Sequence, residues 1–250
     1  MRFQVFRIPD HGPRIPSGSG IRYSTAERCK TQPMSILLIE TPTHGRVIVR
    51  QSTAPAKAGL LVGFHGYAET AEVQIARLAA VPSADAWTLL SVQALHRFYR
   101  GRSEEVVASW MTRQDRDAAV ADNVRYVDAA IAAVRTSGSN DPIVYAGFSQ
   151  GVAMAFRSAV LGRWPCAGVV AVGGDVPPEL LEDRSLRFPA VLLLRGAADE
   201  WYTQARFESD IESLKPRARS IEPVVFDGGH EWSTAASDSA GTFLSSVQLS

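Results

Sequence analysis

A serine hydroxyl becomes a nucleophile at neutral pH only when a base takes its proton and a third group holds that base in place. Ser149 has the surroundings this chemistry needs. It stands at the centre of Gly147-Phe148-Ser149-Gln150-Gly151, after the apolar run Ile143-Val144-Tyr145-Ala146 and before Val152-Ala153-Met154-Ala155-Phe156. A buried strand, a sharp turn with serine at its apex and a helix make a nucleophile elbow. Gly147 and Gly151 flank the serine, where a side chain would crowd strand against helix. The helix N-terminus behind the turn aims backbone N–H groups at any negative charge formed there.

Five histidines are candidates for the base. His11 and His44 fall in an N-terminal extension and a hairpin, and His65 and His96 precede the serine. His230 alone follows the last expected strand, in the glycine-bracketed Gly228-Gly229-His230-Glu231. Asp199 is the preferred acid, because it follows Val191-Leu192-Leu193-Leu194 and the small approach Gly196-Ala197-Ala198. Glu200, Asp175 and Asp227 are its rivals. The order Ser149, Asp199, His230 is one in which such triads occur. A tetrahedral oxyanion needs two donors. The backbone N–H groups of Gln150 and of Tyr67, in the loop after Phe64, are expected to supply them. His65 reads as a structural ring bracing that loop.

These residues need a frame that collects them at one place. From Ala58 onward, apolar runs of strand length alternate with helical spacings. Strands are expected at 58–64, 87–92, 143–146, 167–173, 190–195 and 221–226. Helices are expected at 71–81, 115–134, 203–214 and 233–247. Strand–helix alternation means a parallel sheet with helices on both faces, and ligands bind beyond the carboxyl ends of its strands. Tyr67, Ser149, Asp199 and His230 all follow strand ends. Before this core, Ser35 to Glu40 and Arg46 to Gln51 read as two strands joined by a hairpin turn at 41–45. Residues 1–33 carry six basic residues, two acids and frequent Pro and Gly. They read as a dispensable extension, either disordered or not part of the native start, leaving 34–250 as one domain. Gln93 to Arg113 reads as a long irregular loop.

The 250 residues are 46% apolar and 21% charged, with zero net charge. That composition suits a soluble α/β domain and gives no basic field for nucleic acid. The basic and aromatic run His96 to Arg102 keeps a non-catalytic RNA-contacting protein as a distant alternative, but Glu104 and Glu105 follow it at once. No apolar run is long enough to span a bilayer. Cys29 and Cys166 are too few for a disulfide framework, so a cytoplasmic location is the expectation. No metal site or cofactor is expected. No His pair has i, i+4 spacing with a glutamate, and no glycine-rich loop precedes Lys-Ser or Lys-Thr.

The whole pattern resembles the α/β-hydrolase superfamily, and within it the small carboxylesterase/phospholipase family that includes the acyl-protein thioesterases. The likeness rests on His65-Gly66, Ser109-Trp110, the glutamine-containing elbow at 147–151, Gly196-Ala197-Ala198-Asp199 and Gly229-His230-Glu231. It covers about residues 57–248. The resemblance implies the α/β-hydrolase fold without a separate lid domain. It also implies Ser149, Asp199 and His230 as triad, and Tyr67 and Gln150 as oxyanion donors. The chain departs from the thioesterases at Tyr67-Ala68-Glu69, Glu200-Trp201-Tyr202 and His230-Glu231-Trp232, where bulky aromatics enter. Phe98, Tyr99, Trp110, Met111, Trp201 and Trp232 are the expected walls of an apolar acyl pocket. The expected activity is hydrolysis of small-molecule carboxylic or thio esters of short to medium chain. A peptidase or carbon–carbon bond hydrolase is the alternative on the same fold.

Overall fold

The computed structural model describes residues 5–6, 35–54, 58–135 and 138–248. The chain divides into two units, Met1–His44 and Gly45–Ser250. In the first, strand β1 (Val5–Phe6) pairs antiparallel with β2 (Ile36–Leu37). Apart from Val5–Phe6, the stretch 1–33 expected to be disordered lies outside the described residues.

The second unit opens with β3 (Arg46–Arg50), β4 (Gly59–Phe64), α1 (Ala71–Ala79), β5 (Trp87–Gln93), β6 (His96–Tyr99) and β7 (Val106–Ser109). It continues through α2 (Arg116–Val134), β8 (Ile143–Phe148), α3 (Gln150–Leu161), β9 (Gly168–Val172) and α4 (Pro178–Glu182). It ends with β10 (Phe188–Gly196), α5 (Gln204–Leu214), β11 (Ala218–Phe226) and α6 (Thr234–Gln248). Seven strands form one sheet in the order β11-β10-β9-β8-β4-β5-β3, parallel except for β3.

Two sequence expectations fail here. The hairpin between Ser35–Glu40 and Arg46–Gln51 does not form. β3 instead runs antiparallel to β5 along its whole length, from Arg46 opposite Gln93 to Arg50 opposite Leu89. A long buried strand offers more ladder bonds and more apolar cover than a short exposed neighbour. The stretch 93–113 is also not irregular throughout, because β6 and β7 pair as an antiparallel hairpin. Its basic and aromatic composition hides the alternation that would mark a strand.

The central strands are buried on both faces, and their side chains alternate between two cores. Tyr145, Val191 and Leu193 join α2, α3 and α5 on one side. Val144, Leu192 and Leu194 join α1 and α6 on the other. α2 is the expected amphipathic helix, burying Ala119, Val124, Val127 and Ile131. α1 is capped by Thr70, whose side chain accepts from the Val73 N–H. β4 has β5 on one side and β8 on the other. The loops that leave β4 and β8 therefore diverge from a switch point at the carboxyl edge of the sheet, where open α/β sheets bind ligands.

Candidate active site

Ser149 sits between β8 and α3 with φ 52° and ψ −120°, a conformation ordinarily closed to residues with a side chain. Its N–H donates to the carbonyl of Val172 at 2.9 Å, tying the turn to the end of β9. The two glycines are required for different reasons. A Cβ on Gly147 would stand 2.4 Å from the Gly151 carbonyl oxygen, so strand would meet helix. A Cβ on Gly151 would stand 2.1 Å from the Phe64 carbonyl oxygen, so the helix could not lie against β4. Gln150 opens α3, and the first N–H groups of a helix have no intrahelical acceptor.

The structure brings the three expected polar side chains into one line. Ser149 Oγ lies 2.9 Å from His230 Nε2, and His230 Nδ1 lies 2.9 Å from Asp199 Oδ2. A carboxylate can only accept, so Nδ1 carries the proton and Nε2 presents its lone pair to the serine hydroxyl. Asp199 is buried, and its Oδ1 accepts the N–H groups of Trp201 and Tyr202, both at 2.9 Å. The rivals stand elsewhere. Asp175 is exposed and faces Arg206 at 3.8 Å, and Glu200 and Asp227 are exposed.

Two residues that sequence reasoning passes over support this line. Arg195 is buried, and it donates to the carbonyl oxygens of Tyr202 at 2.8 Å, Ala197 at 3.2 Å and Asp199 at 3.3 Å, and to Gln204 Oε1 at 3.1 Å. It folds the acid loop round a guanidinium. An arginine ending an apolar strand was the available signal. Gly173 has φ +63° and lies against both Asp199 and the His230 ring.

Tyr67, expected as an oxyanion donor, stands in the loop after β4. Ala68 N–H donates to the Ala108 carbonyl and Ala108 N–H to that of Glu69, joining the loop to β7. The Tyr67 N–H has no acceptor among the described residues. His65 is the expected brace. Its Nε2 accepts from Ala94 N–H at 3.1 Å, so Nδ1 donates to the Gly66 carbonyl at 2.7 Å. Burial pushes its pKa below the ordinary histidine value, which keeps this neutral tautomer. The Gln150 side chain reaches the other way. Its Oε1 accepts from Trp110 N–H at 3.0 Å and its Nε2 donates to the Met111 carbonyl at 3.2 Å.

The expected pocket walls separate into groups. Trp110 is a correction. It is fully buried, packs edge-on to Phe64 and donates its indole N–H to the His65 carbonyl at 2.8 Å. It is core, with no face open to a substrate; an aromatic residue in a long loop reads the same from sequence in either role. Met111 and Trp232 are half-buried against the two cores. Phe98 stacks on Tyr67 with ring centroids 5.7 Å apart. Tyr67, Tyr99 and Trp201 are exposed, Trp201 by 77%, and the Trp201 ring centre lies 6.3 Å from that of His230.

Several solved structures share this fold. The esterase PE8 matches at 22% identity and a TM-score of 0.63, over 82% of this chain and 100% of that one. The Bacillus cereus carboxylesterase matches at 17% identity and 0.62, over 81% and 94%. Acyl-protein thioesterase 2 of Zea mays matches at 18% and 0.60, over 82% and 100%. At such identities the likeness speaks for the α/β-hydrolase fold alone. No curated protein sequence matches the chain. No helix among the described residues is long and apolar enough to cross a membrane. The family model described as Phospholipase/Carboxylesterase matches residues 46–201, well over half of the sequence and including Ser149 and Asp199, and the chain belongs to that family.

Proposed function

We propose that this protein is a serine hydrolase of carboxylic or thio esters with short to medium acyl chains, working through an acyl-enzyme. The observation that carries the reading is the unbroken hydrogen-bonded line Ser149–His230–Asp199, with 2.9 Å at each step. Ser149 Oγ attacks the ester carbonyl carbon while His230 Nε2 takes its proton. Asp199 stabilises the imidazolium that results. The carbonyl oxygen becomes an oxyanion, for which the N–H groups of Gln150 and Tyr67 are the proposed donors. Collapse expels the alcohol or thiol, which leaves with the proton from His230. Water then repeats the sequence in reverse and frees the acid. The chain-length preference rests on the absence of a lid-sized insertion among the described residues; the β6–β7 hairpin is the main excursion near the site. Phe98, Tyr99, Met111, Trp201 and Trp232 remain its proposed substrate contacts.

The test is a p-nitrophenyl ester series from acetate to palmitate on the full chain and on Ser149→Ala, with fluorophosphonate labelling of both. Turnover and labelling that require Ser149, falling off towards palmitate, are expected. Undiminished labelling of the variant would remove the assignment, and a preference for emulsified long chains would remove the chain-length reading.

A further inference from the structure

Glu69 lies in the loop after β4, and its carboxylate is engaged on both oxygens. Oε2 accepts the Gly66 N–H at 2.7 Å, and Arg77 donates to Oε2 at 2.6 Å and to Oε1 at 2.7 Å. Arg77 stands in the last turn of α1, and its guanidinium lies 4.2 Å above the centre of the Phe148 ring. Phe148 immediately precedes Ser149, and its ring centre is 5.1 Å from that of His230. The two ends of this chain of contacts meet the two halves of the reaction. One end fixes the residue next to the Tyr67 N–H. The other backs the imidazole.

The loop does not hold this shape unaided. Ala68 sits at φ +56°, which favours glycine, so an outside restraint must hold the turn. The backbone bonds to Ala108 restrain its far side. At the near side the Gly66 N–H is held by the Glu69 carboxylate. The space is tight: a Cβ on Gly66 would stand 2.9 Å from Glu69 Oε2. A charged pair only about one-fifth exposed on each side gains little net stability over apolar residues of the same size, so bulk stability is a poor account of it. Burial alone would push the Glu69 carboxyl up. The Arg77 hydrogen bonds and charge and the Gly66 N–H outweigh that and hold it below its ordinary value, so it is ionised at neutral pH.

We propose that Glu69 and Arg77 are positioning residues for the hydrolysis. Through Gly66, Glu69 sets the direction of the Tyr67 N–H. Through Phe148, Arg77 holds the His230 ring square to Ser149. Neither touches substrate. The inference rests on the reading of Ser149 as nucleophile, and the controls below separate the two.

The experiment uses the full chain and the variants Glu69→Gln, Glu69→Asp, Arg77→Met, Arg77→Lys and the double Glu69→Gln/Arg77→Met. Each is measured for melting temperature, for kcat and KM on p-nitrophenyl butyrate, and for Ki of an alkyl trifluoromethyl ketone, which forms the tetrahedral adduct. Glu69→Gln and Arg77→Met should each lower kcat about 10- to 100-fold, short of the 10²–10³ seen when an oxyanion donor is removed outright. KM should stay within about threefold, since ground-state binding is untouched. Ki for the ketone should rise in step with the loss in kcat/KM. The double variant should lose little more than either single one, as for residues acting as a unit. Glu69→Asp and Arg77→Lys should recover part of kcat. The proposal is overturned if folded variants keep kcat within about twofold, below one step of the expected loss. It is equally overturned if the loss in kcat follows the unfolded fraction while the ketone Ki of the folded protein is unchanged. If the Gln and Met variants fail to fold, kcat and ketone Ki of the conservative pair decide the question by the same criteria. Wild-type protein that fails to label at Ser149 would bring down the serine-hydrolase reading itself. Labelling at Ser149 with full-rate Glu69 and Arg77 variants would bring down only this inference.

Discussion

Asp199→Asn removes one charge and almost no volume, and the site determines what the amide must do. Asp199 Oδ1 accepts two backbone N–H groups at 2.9 Å, while Oδ2 accepts His230 Nδ1 at 2.9 Å. An asparagine has one oxygen. If that oxygen faces Trp201 and Tyr202, the amide NH₂ faces His230, and Nδ1 must accept rather than donate. The proton then moves to Nε2, and the ring cannot take a proton from Ser149. If the amide flips, its NH₂ faces two N–H donors, that of Tyr202 buried and that of Trp201 part-buried, each left unsatisfied at a cost of about 1–3 kcal/mol when fully buried. With a bond to His230 in either orientation, these penalties leave a difference of at least roughly 2 kcal/mol. The productive orientation is then present in at most about one molecule in thirty. Loss of the carboxylate beside the imidazolium adds to this. The total should approach the 10⁴-fold fall known for the wrong tautomer in such triads. The assay is kcat on p-nitrophenyl acetate at fixed pH, beside a melting curve. The fold should survive, because both backbone N–H groups keep their acceptor. Turnover within about tenfold of wild type, a barrier change of only some 1.4 kcal/mol, would refute the reasoning. So would a comparable collapse in Asp175→Asn or Asp227→Asn.

Trp110→Ala should cost about 3–5 kcal/mol of stability, read from chemical denaturation, because it empties a buried site and strands the His65 carbonyl. Trp201→Ala, by contrast, should leave the denaturation midpoint unchanged, since most of that ring is already in water, and should alter the ranking of ester substrates. Asp210 is buried among Tyr202, Val176 and the nearby Asp175. Burial pushes its carboxyl up to about 6, against the pull of the Tyr202 hydroxyl and the Val176 N–H. A carboxyl raised in the folded state contributes stability that is present below its unfolded value near 3.8 and lost as pH rises through about 6. Asp210→Asn should therefore gain stability over wild type as pH rises from 4 to 7, by at most about 3 kcal/mol; a gain that does not vary with pH would contradict this.

The parallel core was legible because doubly buried strands and amphipathic helices leave unmistakable periods, as at Leu60–Phe64 and along α2. Ser149, Asp199 and His230 were legible because each follows a strand end, where topology alone gathers them. What escaped was information held between strands. Val47, Ile48 and Val49 look alike whether β3 pairs with β2 or with β5, because pairing depends on which partner is longer and more buried. Trp110 was misplaced since sequence records that a ring is apolar, not which way it turns. Arg195 and the Glu69–Arg77 pair were passed over because a buried guanidinium differs from a surface one only by its partners, and those are eight residues away for Glu69 and spread over the acid loop for Arg195.

Gln150 has a consequence beyond chemistry. Its side chain grips the base of the β6–β7 hairpin at Trp110 and Met111, while the hairpin tip has open space round it: nothing lies within 4 Å of a Cβ added to Gly101. The hairpin is thus anchored beside the nucleophile through Gln150 and at the loop after β4, where Arg100 donates to the Ala68 carbonyl at 2.6 Å, and only its turn stands clear. A change at Arg100 would therefore reach the loop that carries Tyr67, and a side chain at Gly101 has room but meets the strain of φ +56°, whereas the exposed Arg102 can vary without touching the contacts round Ser149. Under the function proposed above, this turn is where the surface near the site can vary while the hydrogen-bonded line at Ser149 stays in place.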